Sequence, residues 1–214
     1  MVKIQKVEVV LATNNVGKLH ELRTLLLETN LECKPQTEYQ IPEAEEIGLT
    51  FIENALIKAR NACCYSGLPS IADDSGLEVD YLQGAPGVHS SRFAGENATD
   101  TENLEKLLDA MQKALPDQRT ARFHCVLAYL RSERDPSPLI SIGTWEGHIG
   151  TKKIGHRGFG YDPIFIVENI GQTSAELDIG QKNLLSHRSQ ALRKLVAQLQ
   201  SKRLFLNQKR PPIF

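Results

Sequence analysis

Apolar positions along this chain recur in two periods, and the switches between them mark its elements. VEVVLA at 7–12 reads as a buried strand, and Leu19, Leu22, Leu25 and Leu26 then recur at helical spacing. The unit is strand, polar loop, helix. Thr50 and Glu53 form the signature of a capping box, with Ile52, Leu56, Ala59 and Cys63 as the apolar stripe of the helix that follows to 64. A second strand, at 69–72, runs into Asp73 and Asp74, and the Ser75-Gly76 pair behind them reads as a turn. A loop rich in glycine and proline fills 84–98, after which Leu104, Leu107, Leu108 and Met111 mark a further helix. TARFHCVLAYL at 120–130 alternates as a strand, and LISIGTWEGHIG at 139–150 is its partner across the polar turn 132–138. An apolar strand follows Tyr161-Asp162-Pro163, a last helix lies within 184–200, and 207–214 reads as a loose tail behind a single domain, 1–206. Periodicity thus predicts an α/β chain and leaves the class of sheet open.

Composition narrows the partners. With 214 residues, 41% hydrophobic and 24% charged, the chain can bury a substantial core. Lys and Arg number 25 against 26 Asp and Glu, so no global positive field holds a nucleic acid or an anionic membrane. Any polyanion must be held by a local cluster. No apolar run approaches the roughly 20 residues that cross a bilayer, and MVKIQKVEVV lacks the apolar core of a secretion signal. A cytoplasmic setting is the expectation. Cys33, Cys63, Cys64 and Cys125 contain no C-x-x-C pair and read as free thiols.

Three loops carry more glycine and polar residues than turns require. In TNNVGK at 13–18, amides at a helix N-terminus, a glycine and Lys18 can cradle a phosphate. The alternative is an Asn-rich turn in which Thr13 or Asn14 caps the helix and Lys18 is a solvated charge. In IADDSGLEVD at 71–80, Asp73 and Asp74 diverge if the strand continues, so one of them at most faces a given pocket. A carboxylate there can bind Mg²⁺ alongside phosphate oxygens, with EAEE at 43–46 as a second acidic source; the alternative is a plain turn. In GHRGFGYDPIF at 155–165, Phe159 between glycines can stack on a base, and Asp162 can accept from base N–H groups. Lys182, His187 and Arg188 gather near the start of the last helix. The six histidines lack metal-ligand spacing, so His187 reads as a hydrogen-bonding group.

Taken together, ATNNVGKLHEL at 12–22, EEIGLTFIENALIKA at 45–59, IADDSGLEVDYLQGAPGVHSSRFAG at 71–95, GFGYDPIF at 158–165 and AELDIGQKNLLSHRSQAL at 175–192 closely resemble the inosine/xanthosine triphosphate pyrophosphatases. That resemblance covers nearly the whole chain in the same order. It implies an elongated α/β fold with a long mixed sheet flanked by helices, two lobes with a substrate cleft between them, and a homodimer. It also implies hydrolysis of noncanonical purine nucleoside triphosphates (ITP, dITP, XTP) to the monophosphate and pyrophosphate, with Mg²⁺ as cofactor. By position, Thr13, Asn14, Asn15, Val16, Gly17 and Lys18 match the substrate loop, with Asn15 and Lys18 at the phosphates. Lys58, by itself a solvated helix charge, matches a further phosphate ligand. Asp74 matches the proton acceptor and a metal ligand, Glu45 the other metal position and Ser75 a substrate contact. Phe159, Gly160, Tyr161 and Asp162 match the base-side loop, and Lys182, His187 and Arg188 the remaining substrate contacts. Asn14, His89 and Phe93 depart from the residues most frequent in the pattern. Two other readings stay open: a septum-associated nucleotide pyrophosphatase for modified pyrimidines or 7-methyl-GTP, and a nucleotide-binding module without turnover.

Overall fold

The computed structural model describes residues 6–27 and 29–202, so the tail expected at 207–214 lies outside it. Six strands form one mixed sheet. β1 (Val7–Ala12) pairs in parallel with β2 (Leu31–Pro35) on one side and β3 (Ser70–Val79) on the other. From β3 the sheet continues antiparallel through β4 (Thr120–Leu130), β5 (Leu139–Ile149) and the short β6 (Phe165–Val167), in the order β2-β1-β3-β4-β5-β6. The α/β expectation holds. β2 escaped the pattern because LECKP carries two charges in five residues.

α1 (Val16–Leu26) joins β1 to β2 and lies with α5 (His187–Ser201) over one face, where Leu22, Leu26, Leu192 and Leu195 bury Val9, Leu11, Ile71 and Leu127. α2 (Phe51–Ser66) covers the other face, where Ala55, Ala59 and Ala62 meet Val10, Ala72 and Val126. The connection from β1 to β2 (α1) and the one from β2 to β3 (α2) lie on opposite faces, so the loop after Ala12 opens a crevice where the strand order reverses. α3 (Asp100–Ala110) closes a third cluster with Leu77, Phe123 and Trp145.

The caps explain where the helices begin. Thr50 and Glu53 make the expected capping box, but the buried stripe is Ala55, Ala59, Ala62 and Cys63, and Ile52 faces outward. Small residues lie underneath because α2 packs closely on the sheet, a constraint invisible in hydrophobicity. Asn15, rather than Thr13 or Asn14, caps α1, its side chain accepting from Lys18 N–H at 2.9 Å. The last helix is broken in two: α4 (Ile179–Leu185) ends and α5 begins at Ser186, whose extended backbone (φ −62°, ψ 153°) serves both caps. Lys182 therefore belongs to a separate short helix from His187 and Arg188.

β3 also corrects an expectation. It runs ten residues, through Asp73, Asp74, Ser75 and Gly76 to Val79, with Asp73 opposite Leu127 and Asp74 opposite Val126. Ser75-Gly76 is strand, held by a full antiparallel ladder to β4, rather than a turn.

Gly143 on β5 lets α5 sit against the sheet. A Cβ there would lie 1.9 Å from the His187 carbonyl oxygen and 2.6 Å from Ala191 N. Gly143→Ala is expected to cost about 1–3 kcal/mol of stability as α5 shifts. Urea unfolding of the variant checks this.

Candidate functional site

The adjacent aspartates serve two networks because successive side chains of a strand point to opposite faces. Asp73, 1% exposed, points toward α5. Arg188 Nε donates to its Oδ2 at 3.0 Å, Lys18 Nζ lies 2.6 Å from its Oδ1, and the Cys125 thiol and Ser75 hydroxyl donate to it at 3.1 Å each. Burial alone would raise the Asp73 carboxyl, yet the Arg188 guanidinium and Lys18 ammonium hold it well below the usual carboxylate range. Burial pushes the Cys125 thiol well up, so it stays a neutral donor.

Asp74 points toward α2. Lys58 Nζ donates to its Oδ1 at 2.6 Å and to Glu46 Oε1 at 2.7 Å, and Arg92 reaches Glu46 Oε2 at 3.3 Å. The other Asp74 oxygen, Oδ2, is buried without a partner. Burial lifts the Asp74 carboxyl above its ordinary value even with Lys58 beside it. For Lys58 the balance is reversed: burial pulls its ammonium down, but the carboxylates of Asp74 and Glu46 outweigh it and keep the group charged.

On the α1 and α5 side, Lys182 donates to Asp162 Oδ2 at 2.6 Å and pairs with Glu21 at 3.0 Å; Arg188 also pairs with Glu21. Both cations lie over the Phe159 ring, at 5.1 and 5.8 Å from its centroid. The ring also rests on Gly17, where a Cβ would come within 2.7 Å of it. His187 stacks on Phe123 with centroids 4.8 Å apart, and its Nδ1 is buried without a partner. Burial, helped by Arg188, depresses the imidazole well below its ordinary value, so it is neutral.

These groups line two adjoining compartments. One has Leu77, Val88, Phe123 and Phe159 as apolar walls, with Asp74, Ser75, Gly160, Tyr161, Asp162, Lys182, His187 and Arg188 around them. The other is polar, with Thr13, Asn14, Gln36, Lys58 and Asn61. Asn15, Lys18 and Glu46 belong to both and mark the seam. Most residues expected at the site therefore come together, with three differences. Val16, 79% exposed, and Gly17 line neither compartment. Glu45 is exposed and turned away, and Glu46 is the carboxylate that shares Lys58 with Asp74. Asp162 offers no free oxygen: it accepts from Phe159 N–H, Ser174 and Lys182 and builds the loop it sits in.

Glu21 and Arg92 were missed. Glu21 had one signal, its place one helical turn beyond Lys18, where both side chains share a face. Arg92 had none.

Aromatic walls that open onto a lysine- and carboxylate-lined groove define an α/β protein built to hold a flat ring joined to a polyanion. The chain belongs to the Ham1 family, whose sequence pattern matches residues 9–198. A dITP/XTP pyrophosphatase of Photorhabdus laumondii is 56% identical over 194 residues, covering 91% of this chain and 98% of its own. One from Escherichia coli K12 is 54% identical over the same shares. Among solved structures, a HAM1 protein from Coxiella burnetii superposes with a TM-score of 0.85 at 51% identity, and the Staphylococcus aureus Ham1 protein with 0.81 at 38%; both comparisons cover 91% of this chain and 99% of the other. No helix among the described residues is long and apolar enough to cross a membrane.

Proposed function

We propose that this protein hydrolyses noncanonical purine nucleoside triphosphates, dITP, ITP and XTP, to the monophosphate and pyrophosphate. The observation that carries the reading is the pair of compartments joined at Lys18: an aromatic slot sized by Phe159 and Phe123, and a polar groove in which Lys58 bridges two carboxylates. The names of the relatives agree with it.

In this reading the base enters the aromatic compartment, and the neutral His187, with its unpaired Nδ1, is the polar group free to meet the base edge. Arg188 is largely committed to Asp73, Glu21 and Ser75 and acts chiefly by holding the wall. The phosphates lie across the seam, where Lys18 and Lys58 neutralise charge on the departing pyrophosphate. Water attacks the α-phosphorus and Asp74 takes its proton. A carboxyl raised by burial suits that task better than a solvated one, because its basicity lies closer to neutral.

The residues fit Mg²⁺. Among the described residues no three His, Cys, Asp or Glu side chains converge as a closed metal site, but Mg²⁺ on phosphates needs only one or two carboxylates. Asp74, with an unpartnered buried oxygen, and Glu46, in place of the expected Glu45, would hold it. When bound, the ion supplies further electrostatic stabilisation of phosphate charge. Lys58 meanwhile keeps the two carboxylates from repelling one another.

The homodimer, the two-lobed division of 1–206 and the cytoplasmic setting go with this reading; the free thiols of all four cysteines support the last. Pyrophosphate and orthophosphate release with Mg²⁺ from ITP, XTP, GTP, ATP and 7-methyl-GTP tests the function. Rapid pyrophosphate from ITP and XTP, with GTP and ATP far slower, is expected. Preference for 7-methyl-GTP would favour the septum-associated class, and tight ITP binding without turnover a binding module.

A further inference from the structure

The geometry points to Asp100 as a positioning residue for base selection, acting through the backbone of the Phe159 loop; the inference rests on the reading of function above. α3 begins at Asp100, in a first turn fixed by the capping box of Thr99 and Glu102. From there Asp100 Oδ2 accepts from Gly160 N–H at 2.8 Å. The preceding amide, Phe159 N–H, donates to Asp162 Oδ2 at 2.9 Å. The amides on either side of the Phe159 side chain are therefore held by carboxylates from two different parts of the fold.

Those bonds matter because the loop has little steric restraint of its own. Gly158 and Gly160 stand at φ +78° and +59°, a region glycine enters and leaves freely. Asp162 fixes the loop to itself and to Lys182. Asp100 ties it across the compartment to α3.

The same helical turn holds the facing wall. Asn103 accepts from Ala94 N–H at 2.7 Å and donates to the Ser91 carbonyl at 3.0 Å, and the Tyr161 hydroxyl donates to the Ser90 carbonyl at 2.8 Å. Asp100, Asn103, Ser90 and Phe159 all line the compartment proposed for the base. One turn of α3 thus sets the gap between Phe159 and the wall opposite. The hydrogen bonds of Asp74 and Lys58 run elsewhere, so loosening this gap leaves the hydrolytic apparatus in place.

Three variants test the inference. Asp100→Ala removes the acceptor, Asp100→Asn keeps an oxygen for Gly160 N–H, and Thr99→Ala weakens the start of α3 while leaving Asp100. For Asp100→Ala we expect KM for ITP to rise about tenfold with kcat within about twofold, and the ITP-over-ATP ratio of kcat/KM to fall about tenfold, the loss of one hydrogen bond to a charged group. Asp100→Asn should stay within about threefold of wild type, and Thr99→Ala, which loosens the turn that carries Asp100, should show the same loss in weaker form. Amide exchange of the peptide covering 158–162, which needs no turnover, should quicken in Asp100→Ala and not in Asp100→Asn. Unchanged exchange and selectivity in Asp100→Ala would overturn the inference. So would Asp100→Asn behaving like Asp100→Ala. If wild type fails to release pyrophosphate from ITP, the reading of function falls, while the exchange result still decides whether Asp100 holds the loop.

Discussion

Asp74→Asn is expected to lower kcat for pyrophosphate release from ITP by a factor on the order of a thousand, within the range that positioned acid–base groups supply. The substitution keeps the shape of the side chain and removes both the proposed proton acceptor and one anionic ligand proposed for Mg²⁺. It should not unfold the protein. Burial raises the Asp74 carboxyl, so its ionised form opposes folding: its contribution is favourable below the unfolded value near 3.9 and fades as pH rises through the raised folded value. Asparagine carries no charge to bury, and Lys58 retains Glu46 at 2.7 Å. Steady-state kinetics at saturating Mg²⁺, paired with thermal unfolding near neutral pH, separates the two effects. Near-normal kcat would remove Asp74 from the chemistry, and collapse of the fold would show that its role is architectural.

Asp73→Asn should do the opposite. Here the carboxylate is the anion on which Arg188 and Lys18 converge, with Arg188 2% exposed. Losing it leaves the buried Arg188 and the partly exposed Lys18 short of a partner, and breaking a buried pair from one side costs about 3–5 kcal/mol. Glu21 still holds Arg188, which places the expectation toward the lower end of that range. The pH dependence carries a distinct sign. The Asp73 carboxyl is depressed, so its stabilisation is present above the unfolded value near 3.9 and is lost as pH falls toward its lower folded value. Urea midpoints at neutral pH should differ strongly between wild type and Asp73→Asn, and the gap should narrow below about pH 4. A gap under ~1 kcal/mol at neutral pH, or one that widens in acid, would contradict this account.

Two neighbouring residues of one type thus receive different work. Nothing in their sequence neighbourhood distinguishes them, because both follow the same apolar run and precede the same serine and glycine. The distinction comes from the helices on either side: α5 brings Arg188 to one face of β3 and α2 brings Lys58 to the other.

Much was legible in the chain itself. Local chemistry determined the capping box at Thr50, the strand after the turn 132–138, the helix opening after 13–15 and the polar loops where ligand groups gather, since caps, periodicity and turns act over a few residues. The motif order was enough to imply the family and its reaction. Tertiary structure alone decided that β3 continues through the aspartates, because a ladder to β4 some fifty residues on holds it extended. Packing also set Glu46, and not Glu45, beside Lys58, closed both Asp162 oxygens, and split the last helix at Ser186 so that Lys182 and Arg188 reach Glu21 from separate helices. A sequence specifies which side chains alternate. Which of the alternating faces meets a cation, a wall or water depends on elements far along the chain, and only their docking settles it.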